Sequence, residues 1–277
     1  ELYHSGGDSR AVTWSPDGMY IAGAGDGNVN LYWVGGLLTV LHTIDENVRA
    51  LKFSPNGSYL AVGGYEEDEW ENRYGWMLVL EMNWASLTAT VIQNLSSMHP
   101  DTDVPSLAWS SNGSHLYTGA ENEIRRFSVH ENWIMDMNYT YSSGNVWALD
   151  TSPDDRLVAG ISGGGEFKVY WADNGSSYME FSNHTGSYAL GLEFSPDGRW
   201  VLTGGFDNMV NIYNVSNQSL HDSILVGSDV YGISFHPKGS HFIVARQSYS
   251  TLIYNTENWE LSSSFGSFGS SNNNRGC

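Results

Sequence analysis

The chain has 277 residues, 40% hydrophobic and only 16% charged, with 31 glycines and 13% aromatics. That is long enough to bury a sizeable core, and the composition points to many turns between strands rather than to helices. Thirty-one acidic against twelve basic side chains give a formal net charge of −19, which argues against nucleic acid as a partner, and no apolar run reaches the roughly 18 residues of a membrane span.

The first predicted strand lies in "AVTWSPDG" at 11–18, and the phrase returns along the chain: "ALKFSPNG" at 50–57, "SLAWSSNG" at 106–113, "ALDTSPDD" at 148–155, "GLEFSPDG" at 191–198 and "GISFHPKG" at 232–239. Its fourth position holds Trp14, Phe53, Trp109, Thr151, Phe194 and Phe235, at spacings of 39, 56, 42, 43 and 41. Internal repeats of this period fit four short strands per unit. After each phrase comes an apolar strand ending in small residues, such as "YIAGAG" or "YLAVGG". A tight turn follows, then an alternating strand such as "VNLYW" or "VNIYN", then a fourth strand such as "LLTVLHTI". Within the phrase, the first position is small (Ala11, Ala50, Ser106, Ala148, Gly191, Gly232), which lets innermost strands crowd together. The second and fourth positions are mostly large and apolar, so they are expected to wedge neighbouring sheets, with Trp14 and Trp109 in the core. Lys52, Asp150 and Glu193 at the third position are expected to be solvated charges at a channel mouth.

The phrase and its period resemble the WD40-repeat β-propeller family, in a divergent and secreted prokaryotic form. The resemblance implies an all-β propeller of four-stranded antiparallel blades forming one domain over 1–277. Its units lie near 8–45, 46–98, 102–140, 144–184, 187–226 and 228–266. Residues 1–5 and 272–277 read as pieces of a further unit, because Arg275-Gly276 aligns with Arg10-Ala11. The expectation is therefore six complete units plus parts of a seventh, with a seven-bladed parent favoured and a six-bladed ring as the alternative. Two features depart from the family: no third strand ends in Trp-Asp, and the Gly-His pair is missing. However, His4, His99 and His184 each sit eight residues before the second phrase position, and Asp26 and Asp207 occupy the turn between second and third strands. The resemblance implies structural hydrogen bonds His4–Asp26 and His184–Asp207.

Other candidates come from the loops. The insertion "YEEDEWENRYGW" at 65–76 gathers Glu66, Glu67, Asp68 and Glu69, and the connection at 96–106 carries Asp101 and Asp103. Oxygen clusters of this kind can ligate Ca²⁺, but no EF-hand spacing is present, and a solvated acidic hairpin is the simpler reading. No other cofactor is indicated. Trp84, Trp133 and Trp259 recur ahead of the outermost strand, as outer packing or as a sugar-stacking rim, while Trp70 and Trp76 are the exposed candidates. Sequons occur at Asn56, Asn94, Asn112, Asn138, Asn174, Asn183, Asn214 and Asn217, which points to an extracellular or cell-surface glycoprotein. Nucleophile-elbow, Asp-box and His/Cys metal spacings are absent, so no catalytic residue is assigned.

The functional expectation is a non-catalytic extracytoplasmic binding or structural propeller. Its partners are proteins or copies of itself, and glycans. Unpaired strand edges could join copies into an oligomer or filament. The alternatives are a glycan-active propeller enzyme and an intracellular protein–protein scaffold.

Overall fold

Alternating apolar and polar residues produce strands almost throughout. The computed structural model describes residues 11–24, 26–33, 36–70, 72–98, 103–185, 188–247 and 250–266, with backbone only at 26–27, 36–38 and 44–46. Contacts divide the chain into two compact units, 1–137 and 138–277.

The first unit opens with β1 (Ala11–Trp14), β2 (Tyr20–Ala24), β3 (Asp26–Trp33) and β4 (Gly36–Phe53). It continues through β5 (Tyr59–Glu67), β6 (Arg73–Asn83), β7 (Thr88–Asn94), a 3-10 turn at Ser96–Met98, β8 (Leu107–Trp109) and β9 (His115–Ser128). Next comes β10 (Ile134–Thr151), which bridges the boundary. The second unit holds β11 (Leu157–Ser162), β12 (Phe167–Trp171), β13 (Ser177–Phe181), β14 (Ala189–Phe194), β15 (Trp200–Gly205), β16 (Met209–Asn214) and β17 (Ser219–Leu225). It ends with β18 (Val230–Phe235), β19 (His241–Arg246), β20 (Thr251–Asn255) and β21 (Leu261–Phe265). Successive strands pair as neighbours in sheets of seven, six, four and four strands.

The fold is all-β, made of four-stranded antiparallel blades, as expected. The number of blades is corrected. Twenty-one strands among the described residues amount to five blades of four with one strand beyond, not six complete units or a seven-bladed ring. The reason is that expected strands run together. β4 and β10 are each 18 residues long and β9 is 14, so predicted turns within them stay extended. Asn47 in β4 shows how: it pairs with Asp26 on one side and Tyr65 on the other. The end pieces, 1–5 and 272–277, lie outside the described residues.

The recurring phrase builds one turn repeatedly. Ser15 Oγ donates to Asp17 Oδ1 at 2.5 Å and accepts from the Tyr20 amide at 2.9 Å. Ser54 with Asn56, Ser110 with Asn112 and Ser195 with Asp197 do the same. The turn needs a left-handed residue, supplied by Gly18, Gly57, Gly113, Gly198 and Gly239 at φ of +70° to +72°. In the fourth copy Asp155 takes that conformation at φ 61°.

Between consecutive sheets the wedge reading holds. Leu192 and Phe194 share a buried cluster with Ala159 and Val169 of the preceding sheet. Ile233 and Phe235 do the same with Leu202 and Ile212, and Leu107 and Trp109 with Ala61 and Val79. The small first position matters here, because a Cβ on Gly191 would lie 3.0 Å from Ile233. Trp14 is a correction: it is 55% exposed, because no described sheet covers that side of β1. Its counterparts Phe53, Trp109, Phe194 and Phe235 are each no more than 7% exposed.

Candidate functional site: two rims and a buried histidine

The connection ahead of β14 carries His184 into the second unit, with 2% of its side chain exposed. Its Nδ1 lies 3.0 Å from Asp207 Oδ1, and its Nε2 lies 2.8 Å from Thr203 Oγ1 and 3.2 Å from Asn211 Nδ2. Asn211 Nδ2 can only donate, so the network assigns the ring proton to Nδ1 and makes Nε2 the acceptor. Asp207 also accepts from the amides of Thr185 and Met209 at 3.0 and 3.2 Å, and Asn211 Oδ1 accepts from Ser223 Oγ at 2.7 Å. Every polar atom of the imidazole is thus engaged within the fold. Such a histidine pins a connection to a turn, and it has no free nitrogen to offer a substrate. Gly205 allows the approach, since a Cβ there would sit 2.7 Å from His184 Nδ1. The companion pair lies outside the described residues at His4, and Asp26 is placed in β3 by its backbone alone.

The third phrase position has a different role from the one expected. Asp150 accepts from the Phe194 amide at 2.9 Å, and Glu193 accepts from the Phe235 amide at 3.0 Å. Rather than being solvated charges, these two carboxylates tie β10 and β14 to the next sheet, whereas Lys52 is exposed as expected. Sequence alone hides this, because the partner is a main-chain amide more than forty residues away.

The acidic hairpin of β5 and β6 organises itself. Asp68 Oδ1 accepts from the amides of Trp70 and Asn72, each at 2.9 Å, and its Oδ2 accepts from Asn72 Nδ2 at 2.8 Å. The Asn72 side chain is the chief cause that holds the Asp68 carboxyl below its usual range. Glu67 pairs with Arg73 at 2.8 Å, and Glu66 and Glu69 lie on the exposed strand end and turn. Asp103 is 3% exposed, with Arg73 at 3.8 Å and Arg49 at 4.0 Å. Its burial pushes its pKa up against the pull of both guanidinium groups. Arg49 and Arg73 lie over the Tyr65 ring, 4.7 and 4.5 Å from its centroid. The structure therefore brings Asp103 and Glu67 to a shared arginine. Among the described residues no group of three His, Cys, Asp or Glu side chains is arranged to hold a metal ion. Asp101 lies outside the described residues.

The second unit carries a ladder of rings that sequence reading missed. Trp147 meets Tyr188 edge to face at 5.5 Å, Tyr188 meets Phe206 at 5.7 Å, and Phe206 meets Tyr231 at 5.1 Å. Tyr188 is 43% exposed, and Trp147 and Phe206 are half-buried. Trp147 and Tyr231 lie in β10 and β18, each just ahead of its phrase, whereas Tyr188 comes from the connection before β14 and Phe206 from the turn after β15, so no single spacing links the four. The tryptophans that sequence did single out behave otherwise. Trp84 donates Nε1–H to the Gly57 carbonyl at 2.8 Å and packs on Tyr20 and Phe53. Trp133 packs on Tyr59 and Trp109, and Trp259 on Trp200 and Phe242. These three are seam packing between sheets. Trp76 is buried, contrary to expectation, beneath the close approach of Gly64 to Asn47, whereas Trp70 is 73% exposed.

The sequons have a local explanation. Asn56, Asn94, Asn112 and Asn174 accept through Oδ1 from the amide two residues on, of Ser58, Ser96, Ser114 and Ser176. Asn214 accepts instead from Ser216 Oγ and the Asn217 amide. Such an Asx turn accounts for the asparagine at these positions, since the bond is made to a main-chain amide whatever residue stands two positions on. Asn138, Asn183 and Asn217 are exposed, and Asn214 is half-buried.

Repeated antiparallel blades locked by a buried His–Asp–Thr network, with rings and arginines left at the rims, define a repeat protein of the propeller class. The family described as WD domain, G-beta repeat matches residues 2–32, 37–68, 91–128 and 175–214, just over half of the chain, and the chain belongs to it. It is similar to human apoptotic protease-activating factor 1, 22% identical over 139 residues, which is 50% of this chain and 11% of that protein. The zebrafish protein of the same name is 22% identical over 213 residues, covering 75% of this chain and 16% of that one. Protein hir1 of Schizosaccharomyces pombe is 22% identical over 228 residues, covering 76% and 20%. The chain thus spans at most about a fifth of these relatives. All three are eukaryotic, so the expected secreted prokaryotic type is not supported.

Proposed function

We propose that the chain is a non-catalytic protein-binding scaffold, of the intracellular rather than the secreted, glycosylated kind. The observation that carries this is the partition of its large side chains. Most rings wedge sheets together, while Tyr188, flanked by Trp147 and Phe206, and Arg73, stacked on the buried Tyr65, keep exposed surface. Aromatic and arginine side chains on a rigid frame are the usual anchors of protein interfaces. The matched factor is named for activating a protease, an effect on another protein, and this supports a binding role. The buried, fully bonded His184 supports binding over catalysis.

The test is comparative capture of partners from cells by the wild type, Tyr188→Ala and Arg73→Ala, each confirmed folded by an unchanged melting curve. The reading expects discrete proteins bound by the wild type and lost at least tenfold in one of the variants. Partners bound equally by all three forms would remove the rims from the argument, and turnover of a small substrate would end the scaffold reading.

A further inference from the structure

Each innermost strand of the second unit carries a β-bulge one residue ahead of its phrase. The pairing slips between Val146 and Ala148, between Ala189 and Gly191, and between Val230 and Gly232. A bulge re-aims its extra side chain, a device common beside functional sites. Two of the extra residues are Trp147 and Tyr231, the ends of the ring ladder. The middle rings are fixed through the main chain, because the Phe206 amide donates to the Tyr188 carbonyl at 2.8 Å. Four rings are therefore held in a row, edge to face, at steps of 5.5, 5.7 and 5.1 Å.

The row has two further properties. It carries little charge: within two residues of any of its rings stand only Asp207 and Asp229, in a chain of net charge −19. Asp207 is already engaged by His184 and by the Thr185 and Met209 amides, which leaves Asp229. The row also has donors to spare. Among the described residues, neither Trp147 Nε1 nor Tyr188 Oη has a hydrogen-bond partner.

We infer that this row takes a proline-rich segment of a partner protein, bound as a polyproline II helix. The inference rests on the binding role proposed above and names the class of ligand. Hydrogen bonding selects this segment over the alternatives. The carbonyls of a polyproline II helix bond to nothing within it, so they can accept from Trp147 and Tyr188, whereas an α-helix has spent its own. A β-strand would need an open sheet edge, and these rings come from bulges, a connection and a turn. Shape agrees. Uncharged proline rings fit the slots between edge-to-face rings, and the helix repeats every roughly 9 Å, within twice the ring step. Asp229 favours a basic residue beside the prolines over an acidic one.

The probe is a dye-labelled decaproline with one terminal lysine, titrated with the full chain and read by fluorescence anisotropy. Binding to the wild type should saturate with a dissociation constant between about 1 μM and 1 mM. Tyr188→Ala should weaken it by about tenfold or more. Trp147→Phe keeps a ring but removes the donor, and should weaken it by about fivefold, the worth of one hydrogen bond. Trp70→Ala removes an exposed ring of the first unit and should change nothing. Unchanged melting curves show that the variants are folded. No saturation below about 1 mM, equal binding of a Gly-Ser peptide of the same length, or equal binding by Tyr188→Ala overturns the inference. So does a cellular partner that is lost in Tyr188→Ala but that excess decaproline fails to displace, a result that leaves the scaffold reading standing.

Discussion

Replacing His184 by alanine separates the structural reading of this residue from a catalytic one. The imidazole makes three side-chain contacts, to Asp207, Thr203 and Asn211, with 2% of its surface exposed. Each contact contributes about 1 kcal/mol net, and a buried donor left without a partner costs about 1–3 kcal/mol. Thr203 and Asn211 would lose their acceptor, while Asp207 would keep the amides of Thr185 and Met209. About 1 kcal/mol for the Asp207 contact and about 1–2 kcal/mol for each of the two orphaned donors give a loss of about 3–5 kcal/mol, at the upper end of single substitutions. At a urea slope of about 2 kcal/mol per molar, the unfolding midpoint should fall by about 2 M. Asp207→Asn keeps one oxygen, for the Met209 amide and His184 Nδ1, but turns an NH2 toward the Thr185 amide, and should cost about 1–3 kcal/mol. Tryptophan fluorescence in urea measures both. A His184→Ala midpoint within about 0.5 M of the wild type would refute the reasoning, because the network would then add little to stability.

Two further outcomes are expected. Glu193→Ala leaves the Phe235 amide without its acceptor and should cost about 1–3 kcal/mol, with faster hydrogen exchange at Phe235. Unchanged exchange there would mean the tie is not made in solution. Stability should also fall on acidification. Burial opposes ionisation of Glu166, but hydrogen bonds from Lys168 and Ser142 outweigh it and hold the carboxyl below its usual value of 4.5. Asp197 is held below 3.8 against burial by Ser195 and the Arg199 amide. Folded values below the unfolded ones give stability that is complete at higher pH and lost as pH drops through that window. Asp103 has the opposite sign: burial raises it above 3.8, so its contribution is present at low pH and lost as pH rises through its folded value. Melting temperatures below about pH 4.5 should therefore decline, and Glu166→Gln should flatten that decline. An identical slope in the variant would sink the assignment.

Legibility followed the range of the interaction. The turns could be read because Ser15, Asp17 and Gly18 bond within five residues of each other. The wedging positions could be read because apolar alternation is a local pattern, and the repeat made it visible several times. His184 and Asp207, 23 residues apart, were reachable only because the family resemblance supplied the link. The carboxylate ties of Asp150 and Glu193, the ring ladder at Tyr188 and the stacking of Arg49 and Arg73 on Tyr65 were not legible, since each joins strands or connections that a one-dimensional apolar pattern does not pair.

Sequence by itself determined the strand modules, their tight turns and which side chains face a neighbouring sheet, because a period of two and a period near forty are written in one dimension. Tertiary structure alone decided how many blades those strands make, whether a carboxylate meets solvent or a distant amide, and which aromatic rings stay at the rim. Those outcomes depend on what lies opposite each face, and at β1, where nothing among the described residues does, Trp14 is left exposed.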